Sequence, residues 1–151
     1  MLIEQLMSKP IVTVELDDTL KVVKRIFEHA KFHHLLVVEK DRLYGVISDR
    51  DLLKAISPNI GTPNESPSDV STLNKKVHQI MTRKPITIRP KADVYEAIHI
   101  FNQHNISCIP VVNDKGRPVG ILSWRDILRA IESNHNKKRS AQSAAGQQSA
   151  G

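Results

Sequence analysis

Gly45-Val46-Ile47-Ser48-Asp49-Arg50-Asp51, followed by Leu52-Leu53-Lys54-Ala55-Ile56, returns later as Gly120-Ile121-Leu122-Ser123-Trp124-Arg125-Asp126, followed by Ile127-Leu128-Arg129-Ala130-Ile131. Gly, Ser, Arg and Asp keep the same offsets in both copies. Each copy reads as a strand end, a tight turn and the first turns of a helix. The correspondence continues upstream, pairing Met7 with Met81, Thr13 with Thr87, Phe27 with Phe101, and Val37-Val38 with Val111-Val112. One extra residue in Asn113-Asp114-Lys115-Gly116, against Glu39-Lys40-Asp41, is the only length change. The chain is therefore two copies of a unit of roughly fifty residues, and the repeat fixes the architecture before any single residue is interpreted.

Each unit opens on a short helical lead-in, Ile3 to Met7 or Val77 to Met81. Lys9-Pro10 and Lys84-Pro85 end the lead-ins, because the residue before proline avoids the helical region. The β-branched runs Ile11-Val12-Thr13-Val14 and Ile86-Thr87-Ile88 read as brief strands. Asp17-Asp18-Thr19 opens a helix to about Ala30, with Leu20, Val23, Ile26, Phe27 and Ala30 on one face. Its counterpart begins at Asp93, with Glu96 three residues on in a capping-box pattern and Val94, Ala97, Ile98 and Phe101 as the apolar stripe. Leu35-Leu36-Val37-Val38 and Ile109-Pro110-Val111-Val112 lack alternation and read as strands buried on both faces. Each turns back into a second strand, Leu43 to Ile47 or Pro118 to Leu122, and then into the final helix, which carries Leu52, Leu53 and Ile56 or Ile127, Leu128 and Ile131. The expected architecture is α/β, two tandem β-α-β-β-α units. They span residues 1–56 and 74–133 and are joined by a flexible linker at 57–73, rich in Pro, Ser, Asn, Gly and Thr. Residues 134–151 lack core-forming side chains and are expected to be a disordered basic and polar tail.

The bulk numbers narrow the function. With 151 residues, 40% hydrophobic and 25% charged, the composition is that of a globular protein. No apolar run is long enough to span a bilayer, and Met1-Leu2-Ile3-Glu4 lacks a signal-peptide pattern, so a cytoplasmic protein with no membrane partner is expected. The single cysteine, Cys108, permits no internal disulfide. Net charge is +6, but Lys137-Lys138-Arg139 lie in the tail, and 19 basic against 16 acidic residues remain without them. Three charges in a solvated tail do not make nucleic acid the expected partner. No nucleophile–base pair or phosphate loop is visible, so no enzyme activity is expected. His29, His33 and His34 lie close together, but no cysteine or acid completes a metal spacing, and no metal site is expected.

The doubled unit, with its apolar strand before a hairpin and its Gly-apolar-x-Ser-x-x-Asp step into the last helix, resembles the cystathionine-β-synthase (CBS) domain. The resemblance covers Met1 to about Ile131. Two tandem copies resemble a Bateman module, in which the units pack pseudo-symmetrically through their sheets, and the chain is similar to small bacterial CBS-pair proteins of the acetoin-utilisation type. The resemblance implies a regulatory sensor for signal transduction. An adenosyl small molecule, with AMP, ADP, ATP and S-adenosylmethionine as candidates and no required cofactor, would bind between the units and alter a regulated protein or the assembly state. It also implies a homodimer formed through the helix faces. In sites of this kind the Asp of the repeated stretch holds the ribose diol and the Ser helps at ribose or phosphate, which carries over to Ser48 and Asp51 and to Ser123 and Asp126. The short first strand and the residues around the start of the apolar strand line the base and phosphate ends. That gives Thr13, Thr87, His33, His34, Cys108, Ile109 and Pro110.

Elementary chemistry supports the transfer. A carboxylate accepting two hydroxyls makes charge-assisted bonds, and Arg50 and Arg125 add full charge in the same first turn. The competing reading is local: Ser-x-x-Asp at a helix start is also a capping box, and a ligand-free dimerisation or interaction scaffold would need nothing more. Histidine as a residue type titrates near neutral pH, so contacts at His33-His34 are expected to be pH-sensitive. Leu36 stands where the second unit has Pro110, and Trp124 where the first has Asp49.

Overall fold

The computed structural model describes residues 1–9 and 11–149; Pro10, expected to end the first lead-in, and residues 150–151 lie outside that range. The elements in chain order are α1 (Ile3–Leu6), β1 (Thr13–Glu15), α2 (Leu20–His29), β2 (His34–Glu39), β3 (Arg42–Ser48), α3 (Asp49–Ala55), α4 (Pro67–Ser71), a 3-10 turn (Thr72–Asn74), α5 (Val77–Ile80), β4 (Thr82–Arg83), α6 (Val94–Gln103), β5 (Cys108–Val112), β6 (Pro118–Ser123) and α7 (Trp124–Ser149).

The tandem β-α-β-β-α pattern is present in both halves. β1 lies parallel to β2, and β2 forms an antiparallel hairpin with β3. β5 and β6 repeat the hairpin, down to a register shift at the equivalent place, between Val37 and Val38 in one and Val111 and Val112 in the other. The expected strand Ile86–Ile88 is reduced to a single parallel bridge between Ile88 and Val111. The first hairpin closes through Lys40 and Asp41, both at positive φ (50° and 64°), the signature of a two-residue turn whose twist matches the strands. The second uses its extra residue to place Gly116 at φ 76°.

Each half encloses its own core on the helix side of its sheet. Leu20 and Val23 of α2, Leu35 and Val37 of β2, Ile47 and Leu52 make the first; Val94 and Ala97 of α6, Ile109, Val111, Leu122 and Ile127 make the second. The opposite faces of the two sheets meet through Leu36, Val46 and Cys108, with Ile11, Leu43 and Ile121 around them. A side chain alternates faces along a strand, which is why neighbours such as Leu35 and Leu36 serve different cores.

The lead-ins are exchanged. Ile3, fully buried, belongs to the second core, whereas Val77 and Met81 belong to the first. Backbone bonds hold each lead-in where it lies: Ile3 N to Ala92 O at 2.9 Å and Ser8 N to Ile121 O at 2.8 Å on one side, Val77 N to Asp18 O at 2.8 Å on the other. β4 completes the first sheet by pairing with Gly45 and Val46, and Ser8 bridges to Ile121 in the second. Each core thus takes its lead-in from the other repeat.

Four local expectations are corrected. The lead-in α5 ends at Ile80, before the prolines matter, because Met81 turns extended to feed β4; Lys84, ahead of Pro85, avoids the right-handed helix by sitting at φ 47°. The linker at 57–73 contains α4 and most of the 3-10 turn. Ser66 and Asp69 form a capping box over Pro67 at the first helical turn, and hydrogen bonds from the Ser57 hydroxyl and from Ser66 hold the Asp69 carboxyl below its ordinary pKa. The tail expected to be disordered from residue 134 continues α7 to Ser149. Its Lys, Arg, Gln and Ala residues are strong helix formers without an intervening proline, and the packed Ile127 turn supplies the nucleus that an isolated helix must build at a cost. Asp93, in turn, caps α6 through Tyr95 N at 3.1 Å rather than through a box with Glu96, which stays exposed.

Candidate functional site

Both Ser-x-x-Asp steps lie where a core strand of the sheet runs into a helix. Ser48 N donates to Asp51 Oδ2 at 2.8 Å, and Asp51 N donates to Ser48 Oγ at 3.0 Å. Ser123 N donates to Asp126 Oδ2 at 2.8 Å, and Asp126 N donates to Ser123 Oγ at 3.2 Å. These are closed, reciprocal capping boxes. All four residues are half-buried. Each box uses one carboxylate oxygen; Oδ1 of Asp51 and of Asp126 makes no hydrogen bond among the described residues. A fixed, half-buried carboxylate with one free oxygen can accept further hydroxyl groups without giving up its cap.

Strand register brings two of the remaining candidates beside the repeated serines. His34 lies directly opposite Ser48 on the β2–β3 ladder, and Cys108 directly opposite Ser123 on the β5–β6 ladder. His34 Nε2 shares a hydrogen bond of 3.0 Å with Ser107 Oγ, which joins the two edges across the seam. His33 Nδ1 donates to Asp49 Oδ2 at 3.0 Å, and Asp49 N donates to the His33 carbonyl at 3.0 Å. Thr13 pairs with Leu36 at the start of β1 and is exposed; Thr87 is exposed beside the Ile88 bridge. Arg50 and Arg125 are exposed and carry no ion pair among the described residues.

Three of the sequence candidates have other work. Ile109 is fully buried in the helix-side core with Val111 and Leu122, so its side chain packs rather than lines the seam. Pro110 is fully buried, and its carbonyl accepts Ile88 N at 3.1 Å. Cys108 is buried in the seam beside Leu36 and Val46, and burial pushes its thiol up to about 12, so it stays an inert, small apolar group at neutral pH. Asp49 and Ser107, in contrast, are partners that sequence reasoning did not select. Nothing in the local pattern announces a bond between positions 34 and 107; it exists because the sheets meet face to face.

The electrostatics of the edge are uneven. Burial holds the His34 imidazole below the ordinary histidine pKa; Asp49 and Asp51 oppose that shift and His33 reinforces it. Among the described residues no group of three or more His, Cys, Asp or Glu side chains is placed to hold a metal ion, and no helix is long and apolar enough to cross a membrane.

Comparison with known proteins falls on the same two segments. A CBS domain-containing protein of Dictyostelium discoideum is 38% identical over 129 residues, covering 84% of this chain and 88% of that protein. The CBS domain pair of protein MJ0100, solved in complex with 5′-methylthioadenosine and S-adenosyl-L-methionine, superposes with a TM-score of 0.72 at 27% identity and covers 89% of this chain and 98% of that one. The cytosolic domain of the Mg2+ channel MgtE, solved in complex with ATP, gives a TM-score of 0.66 at 27% identity, covering 82% of this chain and 46% of that one. The CBS-domain family model matches residues 3–58 and again 77–133, so that the duplicated unit, its hairpins and its seam together place this chain in the CBS-domain family as a tandem pair.

Proposed function

We propose that the chain is a regulatory sensor that holds an adenosyl ligand at the seam between its two units and acts by changing what it presents to a partner, not by catalysis. The observation that carries this reading is the pair of half-buried carboxylates, Asp51 and Asp126, each locked by its capping box with Oδ1 unengaged. Such an oxygen suits a ribose diol. The CBS pair solved with 5′-methylthioadenosine and S-adenosyl-L-methionine supports the ligand class. A ligand that touches both units favours one relative arrangement of them by its differential affinity, which is all that a population shift requires.

Calorimetric titration with AMP, and then with ATP, tests the reading. Saturable heat is expected, weakened by Asp51→Ala or Asp126→Ala. Loss of one charged hydrogen bond costs about 1.5–3 kcal/mol, or roughly 10- to 150-fold in Kd. The closed capping boxes also favour a second reading, a ligand-free scaffold in which these residues serve only the helices. Under it the same substitutions lower stability by about 0.5–2 kcal/mol and no titration gives heat.

The dimer belongs to this proposal as well. Leu53, Leu128, Ile131 and Trp124 are 70%, 55%, 49% and 49% exposed on the last helix of each unit, an apolar surface suited to a second copy. Leu128→Glu is expected to shift sedimentation from dimer to monomer. A variant that stays dimeric removes α7 from the interface.

A further inference from the structure

We infer that the outer part of α7 is a nucleic-acid-binding arm that seats in the groove of a DNA duplex. This is independent of the sensor reading above. Its basis is the difference between the tail that the composition describes and the helix that the chain forms. On a solvated tail, Lys137, Lys138 and Arg139 are three loosely held charges. On α7 they are fixed along one helix that runs from Trp124 to Ser149. Ile127 anchors that helix in the second core, and Asn134 Nδ2 reaches Met1 Sδ at 3.3 Å. From Asn134 to Ser149 the helix continues for about 24 Å, at 1.5 Å per residue. Residues 131–146 are all exposed.

The arm carries charge of one sign. No Asp or Glu follows Glu132. Lys137, Lys138 and Arg139 form no ion pair among the described residues. Successive helical residues turn by about 100°, so the three cations fan over about 200° of the circumference. That spread discriminates between anionic partners. A flat surface, whether a bilayer or the face of an acidic protein, touches one side of a helix and leaves at least one of the three unmatched. The major groove of a duplex is about 12 Å wide, takes a helix about 10–12 Å across, and carries phosphates on both walls. The neighbouring side chains suit a groove as well. Asn136 and Ser143, three residues before Arg139 and four after it, share its face. Ser140, Ala141, Ala144 and Ala145 keep the arm thin. After Ile131 no apolar side chain is larger than alanine, so the arm offers nothing to insert into a bilayer.

Fluorescence anisotropy of a labelled DNA duplex of about two helical turns, titrated with the full chain, tests this. Saturable binding is expected at low salt. Three phosphate contacts give a slope of log K against log salt of about −2.7, so raising salt from about 50 to about 200 mM should weaken binding about 40-fold. Substituting Lys137→Gln, Lys138→Gln and Arg139→Gln together should abolish it. Asn136→Pro leaves all three cations in place but breaks the helix ahead of them. It should bind roughly 5- to 10-fold more weakly than Asn136→Ala, because the segment must then be ordered on binding. No binding at low salt, or binding that the triple substitution leaves intact, overturns the inference. So does a single strand of the same length held as tightly as the duplex, because a single strand offers no groove. An Asn136→Pro variant equal to Asn136→Ala also overturns it and returns the three charges to a flexible tail. Co-sedimentation with vesicles of phosphatidylserine and phosphatidylcholine is the second arm of the test, and binding there as tight as to the duplex assigns the helix to a membrane surface instead.

Discussion

Ile3→Ala should destabilise the second core, although Ile3 stands at the start of the first repeat. Its side chain is fully buried among Ile88, Val94, Ile109 and Leu122. Truncating a buried isoleucine to alanine costs about 2–5 kcal/mol, the upper part of the range applying where the site cannot collapse. The site is stiff: the backbone on either side is pinned by Ile3 N to Ala92 O and by Met7 N to Ile3 O, both at 2.9 Å. Urea unfolding gives the total loss, and amide hydrogen exchange locates it. Protection should fall first on β5 and β6. Val77→Ala should do the reverse and loosen β2 and β3, because Val77 is fully buried in the first core. Loss of protection on β2 and β3 after Ile3→Ala would show that the lead-in does not serve the second core.

The second large effect is expected at Gly45, and it should exceed that at its repeat partner Gly120. A Cβ on Gly45 would lie 2.6 Å from Met81 Sδ and 2.8 Å from the Thr82 carbonyl oxygen. At Gly120 the three nearest atoms all belong to the Met7 side chain, Sδ at 2.4 Å, Cγ at 2.8 Å and Cβ at 3.2 Å. A methionine side chain can turn aside; a carbonyl within a paired strand cannot move without breaking the β3–β4 ladder. Overpacking of this kind costs about 1–3 kcal/mol. Gly45→Ala is placed at the top of that range and Gly120→Ala at or below its bottom. Thermal denaturation of the two variants decides it, and equal losses would mean that the methionine, not the carbonyl, sets the cost. These glycines are therefore fixed by the crossing strand as well as by the turn that follows them.

Much of this was legible in the sequence because the chain states it twice. The hairpins, the buried apolar strands and the Ser-x-x-Asp helix starts all follow from local pattern, and the duplicate confirms each assignment. The exchange of lead-ins was not legible, since Ile3-Glu4-Gln5-Leu6 reads the same whichever core receives it. The helix α4 was legible in principle: Ser66-Pro67-x-Asp69 is a capping signature, but it lies inside a stretch whose Pro, Ser and Asn content points to a linker. At the site, Ser48, Asp51, Ser123 and Asp126 sit where the motif expects them. Ile109 does not line the seam, because strand alternation turns it toward the helices while Cys108 faces the other sheet. The bond between His34 and Ser107 depends on packing between units, which no local periodicity encodes.

The crossing of the lead-ins also sets the order in which the protein can be made. A ribosome delivers the N-terminus first, yet Ile3 has no place to go until Ile109 and Leu122 exist. At about 5–20 residues per second, the first segment waits roughly 6–24 seconds with its apolar side chains unpartnered. The first core waits as well, for Val77 and Met81 to arrive and seal it. The two cores therefore close in order: the first once Met81 has been made, the second, with Ile3, only after Leu122 and Ile127 follow. A chain truncated after the first repeat would leave both its own core unsealed and its lead-in unpartnered.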